Sequence, residues 1–225
     1  FWLGYFYENH PEIKNAAYRC TYWYRQACKQ KDVQAMVALG YCYESGFGVK
    51  KNLELAVKLY GEAAKLNYPA AQCNLAYCYE MGIGTAVDLK AAVHYYRLAS
   101  EAGYPRALCN LGYLYDHGEG VKCDHQHAFD LYMQAAKANY APGLYHVGLA
   151  YEEGKGRKID LDKAIDFYQQ AANLNYAPAM YNLGLIYEQV PAYHDDLKAI
   201  TYYKMAINQN DVRAMYRMAL YLSLI

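Results

Sequence analysis

Serine and threonine are scarce, six in 225 residues, and no Ser-His-Asp or Cys-His arrangement stands out. The groups that nucleophilic hydrolysis brings together are therefore not signalled by the sequence. An excess of charge is also missing, with 22 Lys and Arg against 22 Asp and Glu. That balance excludes the basic footprint of a nucleic-acid or anionic-membrane binder. No apolar run approaches the roughly 20 residues that cross a bilayer, and neither a signal-peptide pattern nor an Asn-x-Ser/Thr sequon occurs. The seven cysteines show no repeated pairing: Cys42 and Cys78 share one register, Cys73 and Cys109 another, and Cys20, Cys28 and Cys123 are scattered. Reduced thiols in the cytoplasm are the expectation. The chain opens on Phe1 and is read as a piece of a longer protein, so a secreted effector or another compartment stays open.

What the sequence does contain is a period. Gly4, Gly40, Ala76, Gly112, Gly148 and Gly184 recur every 36 residues, each followed three residues later by tyrosine: Tyr7, Tyr43, Tyr79, Tyr115, Tyr151 and Tyr187. Such a period means one supersecondary unit stacked on itself. In residues 35–70, Ala35, Leu39, Gly40 and Tyr43 have helical spacing, and Gly46 and Gly48 break that helix. Asn52 caps a second helix carrying Ala56, Tyr60, Ala63 and Ala64, which Asn67 and Pro69 bring to an end. The small slot lets paired helices approach closely, and the second-helix tyrosines (Tyr24, Tyr60, Tyr96, Tyr132, Tyr168, Tyr203) fill the wedge between them.

The order A-x-x-x-L-G-x-x-Y-x-x-G-x-G-V, then D/N-x-x-x-A-x-x-x-Y-x-x-A-A, resembles the Sel1-like repeat family, a relative of the tetratricopeptide repeat. That resemblance implies an all-α, right-handed α/α superhelical solenoid of stacked helix-turn-helix repeats of about 36 residues. Residues 1–225 are read as a single solenoid with units at approximately 1–34 (partial), 35–70, 71–106, 107–142, 143–178, 179–213 and 214–225 (partial). Two loops depart from the glycine pattern, Glu8-Asn9-His10-Pro11 and Gln189-Val190-Pro191-Ala192, and are expected to differ in conformation. Both ends fall within a first helix, so capping units are expected to lie outside the chain.

Seven further tyrosines fall on two first-helix positions four residues apart: Tyr5, Tyr41, Tyr77 and Tyr113 at one, Tyr145, Tyr181 and Tyr216 at the other. Residues four apart share a helix face, and this face differs from that of Leu39 and Tyr43, so it is read as dispensable for stacking. Beside it run Asn74, Asn110, His146, Asn182 and Arg217. The resemblance implies that first helices line the concave side of the superhelix. The tyrosines and their polar neighbours would then form a groove for a peptide or partner protein, with aromatic anchors and amide hydrogen bonds. The competing reading has the same residues packing between units.

Other candidates are weaker. The Gly-x-Gly pairs recur four times without a third glycine or a preceding strand, so they read as helix terminators. Cys123, His125 and His127, with His117 nearby, are a weak metal candidate, present in one unit and lacking a second cysteine pair. Glu44, Glu80, Asp116, Glu152 and Glu188 recur and so read as structural. The functional expectation is a non-enzymatic adaptor without cofactor, nucleic-acid partner or membrane insertion. The alternatives are a metal- or small-ligand-binding repeat protein with hydrolase (β-lactamase-like) activity, implied by the family, and end-to-end self-association through Leu220, Leu222, Leu224 and Ile225.

Overall fold

The structure, a computed structural model, describes residues 1–222 and is all-helical among them. The chain forms two compact units. The first comprises Phe1–Leu114 with Gly118–Lys122. It pairs α1 (Trp2–Glu8) with α2 (Ala16–Lys29), α3 (Val33–Ser45) with α4 (Leu53–Lys65), and α5 (Pro69–Met81) with α6 (Leu89–Glu101); α7 (Pro105–His117) follows. The second takes Tyr115–His117 and the residues from Cys123 on. It contains α8 (His125–Lys137), the hairpins α9 (Ala141–Glu153) with α10 (Leu161–Asn173) and α11 (Ala177–Gln189) with α12 (Asp196–Asn208), and α13 (Val212–Leu222). From α1 to α6, and again from α8 to α13, each helix packs on the next in the chain. Of the proposed self-association residues, Leu220 is exposed on α13, Leu222 ends that helix, and Leu224 and Ile225 lie outside the described residues.

Local chemistry sets the helix ends. Asp32, Asn52, Asp88, Asp124, Asp160 and Asp195 each accept a backbone N–H three residues on, satisfying a donor that the first helical turn leaves open. First helices start two residues earlier than expected. Pro69, read as a terminator of α4, is instead the first residue of α5. Proline lacks the N–H that goes unused there, and its fixed φ suits the first turn. The glycine pairs end first helices as expected, and Gly84 shows why a side chain is excluded. Its φ is +67°, and a Cβ would stand 2.4 Å from the carbonyl oxygen of Leu53. Where the glycines are missing, Pro191–Tyr193 form a short 3-10 turn after an extended Val190, and Asn15 takes a left-handed conformation before α2.

The small slot and the second-helix tyrosine are two halves of one contact. A Cβ on Gly40 would stand 2.5 Å from Cε1 of Tyr60, and on Gly148 2.6 Å from Cε1 of Tyr168. The rings are buried, and their hydroxyls need partners. The recurring carboxylates supply them. Tyr60 donates to Glu44 (2.8 Å), Tyr96 to Glu80 (2.6 Å), Tyr168 to Glu152 (2.5 Å), and Tyr24 to Glu8. Burial first, and then the adjacent carboxylate, hold the Tyr60 and Tyr168 hydroxyls well above the ordinary tyrosine range.

Candidate functional site

The first-helix tyrosines separate by position. Tyr41 and Tyr113, one residue after the slot, are 57% and 39% exposed. Tyr5 at the same position is also exposed, while Tyr77 is half-buried with the Arg106 guanidinium 5.8 Å from its ring centre. Tyr41 lines a hollow of about 480 Å³ together with Glu8, Ser45, Gly46 and Phe47.

Three residues before the slot the outcome differs, and the reading of this face as dispensable for stacking is corrected. Tyr145 is half-buried, with ring centres 5.7 Å from Tyr168 and 5.4 Å from Tyr176, and burial raises its hydroxyl above the ordinary range. Tyr181 lies 6.1 Å from Tyr203 and beneath Arg213 (4.8 Å). Both sit beside the ring that fills their own slot, so they extend the packing. Tyr216, on α13, is 72% exposed.

The polar row beside them is tied into the stack. Asn110 donates to the Tyr96 hydroxyl (3.0 Å), which itself donates to Glu80, and Asn182 donates to Tyr168 (3.2 Å), which donates to Glu152. Each relay links a helix pair to the first helix that follows it. Asn74 accepts from Arg106 (3.1 Å). Arg217 donates through Nε to Glu188 (3.0 Å), which also receives the Tyr203 hydroxyl (2.5 Å). His146 stacks on Tyr132 with centroids 4.5 Å apart, and burial pushes its imidazole down to about 4.

The three side chains of the weak metal candidate do not come together as one set. The His127 ring packs nearly at right angles to Tyr115, with centroids 4.4 Å apart, outside a shared set with Cys123 and His125. Among the described residues no group of three or more His, Cys, Asp or Glu side chains is placed to hold a metal. Cys123 and His125 do meet, together with Asp116, a residue that its regular recurrence had marked only as structural.

One further feature escaped the sequence. A cavity of about 410 Å³ in the first unit is lined by Tyr18, Arg25, Tyr43, Lys50, Lys51 and Asn52, with Arg25 donating to the Tyr43 hydroxyl at 3.1 Å. The doubled lysine of that loop was its one visible signal.

Comparison with known proteins follows the repeat. The Sel1 repeat model matches residues 1–32, 33–68, 69–104, 105–140, 141–176 and 177–211. A Sel1 repeat protein from Oxalobacter formigenes is 33% identical over 93% of this chain and 86% of its own, with a TM-score of 0.82. A putative Sel1 repeat protein from Klebsiella pneumoniae is similar in fold, at 20% identity over 89% of this chain and 98% of its own and a TM-score of 0.61. So is the immunity protein PA5088 from Pseudomonas aeruginosa, at 22% identity, 84% and 72% coverage and a TM-score of 0.61. The comparison with curated proteins gives no match.

Proposed function

The chain belongs to the Sel1 repeat family, and from that premise we propose that it is a protein-interaction scaffold that holds a peptide or a partner's helix on the exposed face of its first helices. The observation that carries this reading is Tyr41, largely exposed and standing beside an open hollow. Tyr5 and Tyr113 support it as further exposed aromatics on first helices of the same unit. Tyrosine brings a large amphipathic surface to a contact and loses little conformational entropy there. The polar row contributes by fixing the backbone that presents those rings. No chemical step is assigned to this role. The free thiols support a reducing compartment, the cytoplasm.

The test compares the intact chain with a Tyr41→Ala/Tyr113→Ala double variant, by affinity capture from native lysate and then titration of the recovered partner. Binding is expected to weaken roughly tenfold or more at an unchanged melting temperature. Equal binding, or a parallel fall in binding and melting temperature, would overturn the reading.

A further inference from the structure

The cavity between α2 and the loop that leads into α4 is lined by Arg25, Lys50 and Lys51 and by no carboxylate. Three departures from the repeat meet there, and each removes negative charge or adds positive. Asn52 stands where the later second helices are capped by Asp88, Asp124, Asp160 and Asp195. Lys51 replaces the Val87, Cys123 and Ile159 of the later loops. Tyr18 holds the position that is Glu54 on α4 and Asp162 on α10. In a chain whose charges balance overall, this concentration is local.

The frame is tied on both sides. Thr21 Oγ1 on α2 donates to the Gly48 carbonyl (3.3 Å), and the Asn52 N–H donates to the Tyr43 carbonyl (2.8 Å). What the lining side chains leave over is donors. Arg25 spends one N–H on the Tyr43 hydroxyl (3.1 Å), whose own proton stays available. Asn52 gives its Oδ1 to the Leu55 N–H (3.0 Å) and keeps its amide N–H groups. Among the described residues neither Lys50 nor Lys51 has an ion-pair partner. Such a lining selects a ligand that only accepts. Three cations exceed the single charge of a carboxylate, whereas a phosphate monoester brings a charge of about −2 and three strong acceptor oxygens. Aromatic surface continues outside the cavity: Tyr22, one turn after Tyr18 on α2, is exposed beside Trp23, with ring centroids 5.3 Å apart. Residues flanking a phosphate on a peptide would cover that turn, which a free phosphate leaves bare.

We propose that this cavity binds a phosphate monoester carried on a peptide segment of a partner protein. Arg25, Lys50 and Lys51 neutralise the dianion, the Tyr43 hydroxyl and the Asn52 amide donate to its oxygens, and Tyr22 meets the adjoining residues. Binding is reversible and leaves the ester bond intact. The peptide nature of the ligand rests on the scaffold reading. Its location does not, because the cavity shares no lining residue with the hollow beside Tyr41.

The experiment presents the immobilised full chain with an equimolar mixture of degenerate peptides, phosphorylated and unphosphorylated at a central serine, threonine or tyrosine. Mass spectrometry reads the retained fraction. Phosphorylated peptides are expected to be enriched roughly tenfold or more. Lys50→Ala/Lys51→Ala, at two exposed positions, is expected to abolish the enrichment at an unchanged melting temperature. Lys51→Val, which restores the residue found at Val87, gives a smaller loss. Lys122→Ala/Lys158→Ala removes the same charge from the Lys50 position of two later loops and is expected to keep the enrichment. Tyr41→Ala/Tyr113→Ala keeps it as well, so this proposal and the first-helix reading fail separately. Equal retention of the two peptide classes, or an equal loss in Lys122→Ala/Lys158→Ala, would overturn the proposal. Inorganic phosphate that competes as strongly, mole for mole, as the retained peptides would overturn the peptide source.

Discussion

Tyr203 lies so close over Gly184 that a Cβ on the glycine would stand 2.4 Å from Cε1 of the ring, while its hydroxyl donates to Glu188 one helical turn further on. The same small residue, ring and carboxylate recur at Gly40, Tyr60 and Glu44 and at Gly148, Tyr168 and Glu152. Ala76 holds the matching position in the unit of Tyr96 and Glu80, so a methyl can be housed there, but in a unit built around glycine the ring must shift to admit it, and that shift sets the first prediction.

Gly40→Ala and Gly61→Ala place the same methyl group on paired helices with opposite results. At Gly40 it meets Tyr60 at 2.5 Å, and overpacking is expected to cost about 1–3 kcal/mol, outweighing the gain in helix propensity. Nothing lies within 4 Å of a Cβ on Gly61, so there the propensity gain of about 0.5–1 kcal/mol stands alone. Urea unfolding of the two variants checks the signs, and equal shifts would contradict the contact.

Gly82→Ala and Gly84→Ala both force a positive φ on a residue with a side chain, a strain of roughly 1–2 kcal/mol. Gly84→Ala is expected to lose more, because its Cβ meets the Leu53 backbone at 2.4 Å, whereas at Gly82 it meets the Val87 side chain at 3.0 Å. Melting temperatures should therefore rank wild type, Gly82→Ala, Gly84→Ala from high to low. The reverse order for the two variants would refute the close approach.

His146 gives the second unit a pH dependence. Its folded value of about 4 lies below the ordinary 6.5, because burial favours the neutral ring. The unfolded chain therefore binds the extra proton between those values. Stability present above about pH 6.5 is lost as the pH falls toward 4, by about 1–3 kcal/mol. His146→Asn, the residue found at the matching Asn110 and Asn182, should flatten this slope. Denaturant midpoints of both proteins at about pH 7 and pH 4.5 make the comparison, and parallel slopes would count against it.

Arg217→Ala separates packing from binding. Glu188 is largely buried and receives both Arg217 and Tyr203, so loss of the guanidinium leaves a carboxylate short of its partner. A destabilisation of about 1–3 kcal/mol is expected, with partner affinity unchanged while the chain stays folded. An unchanged melt with weakened binding would return Arg217 to the binding surface.

The hairpins were legible because their signals are local. Helical spacing, Asn52 at a cap and glycines at the helix ends act over three to five residues, and the structure follows them except for the two-residue shift at Pro69. The binding surface was only half legible. Tyr41 and Tyr145 share a helix face in the sequence pattern, yet Tyr41 stands open and Tyr145 packs on Tyr168. A constant 16-residue interval joins Glu44 to Tyr60, Glu80 to Tyr96 and Glu152 to Tyr168, and it was the available clue to the buried pairs.

By itself, then, the amino-acid order determined a helical repeat and its period, since both arise from short-range spacing and backbone chemistry. Tertiary structure alone decided which side chains are spent inside the stack and which face outward. It also decided that Cys123 and His125 meet Asp116 while His127 turns to Tyr115. Those outcomes depend on how a loop folds back across the end of a helix, a distance over which sequence spacing carries no direction.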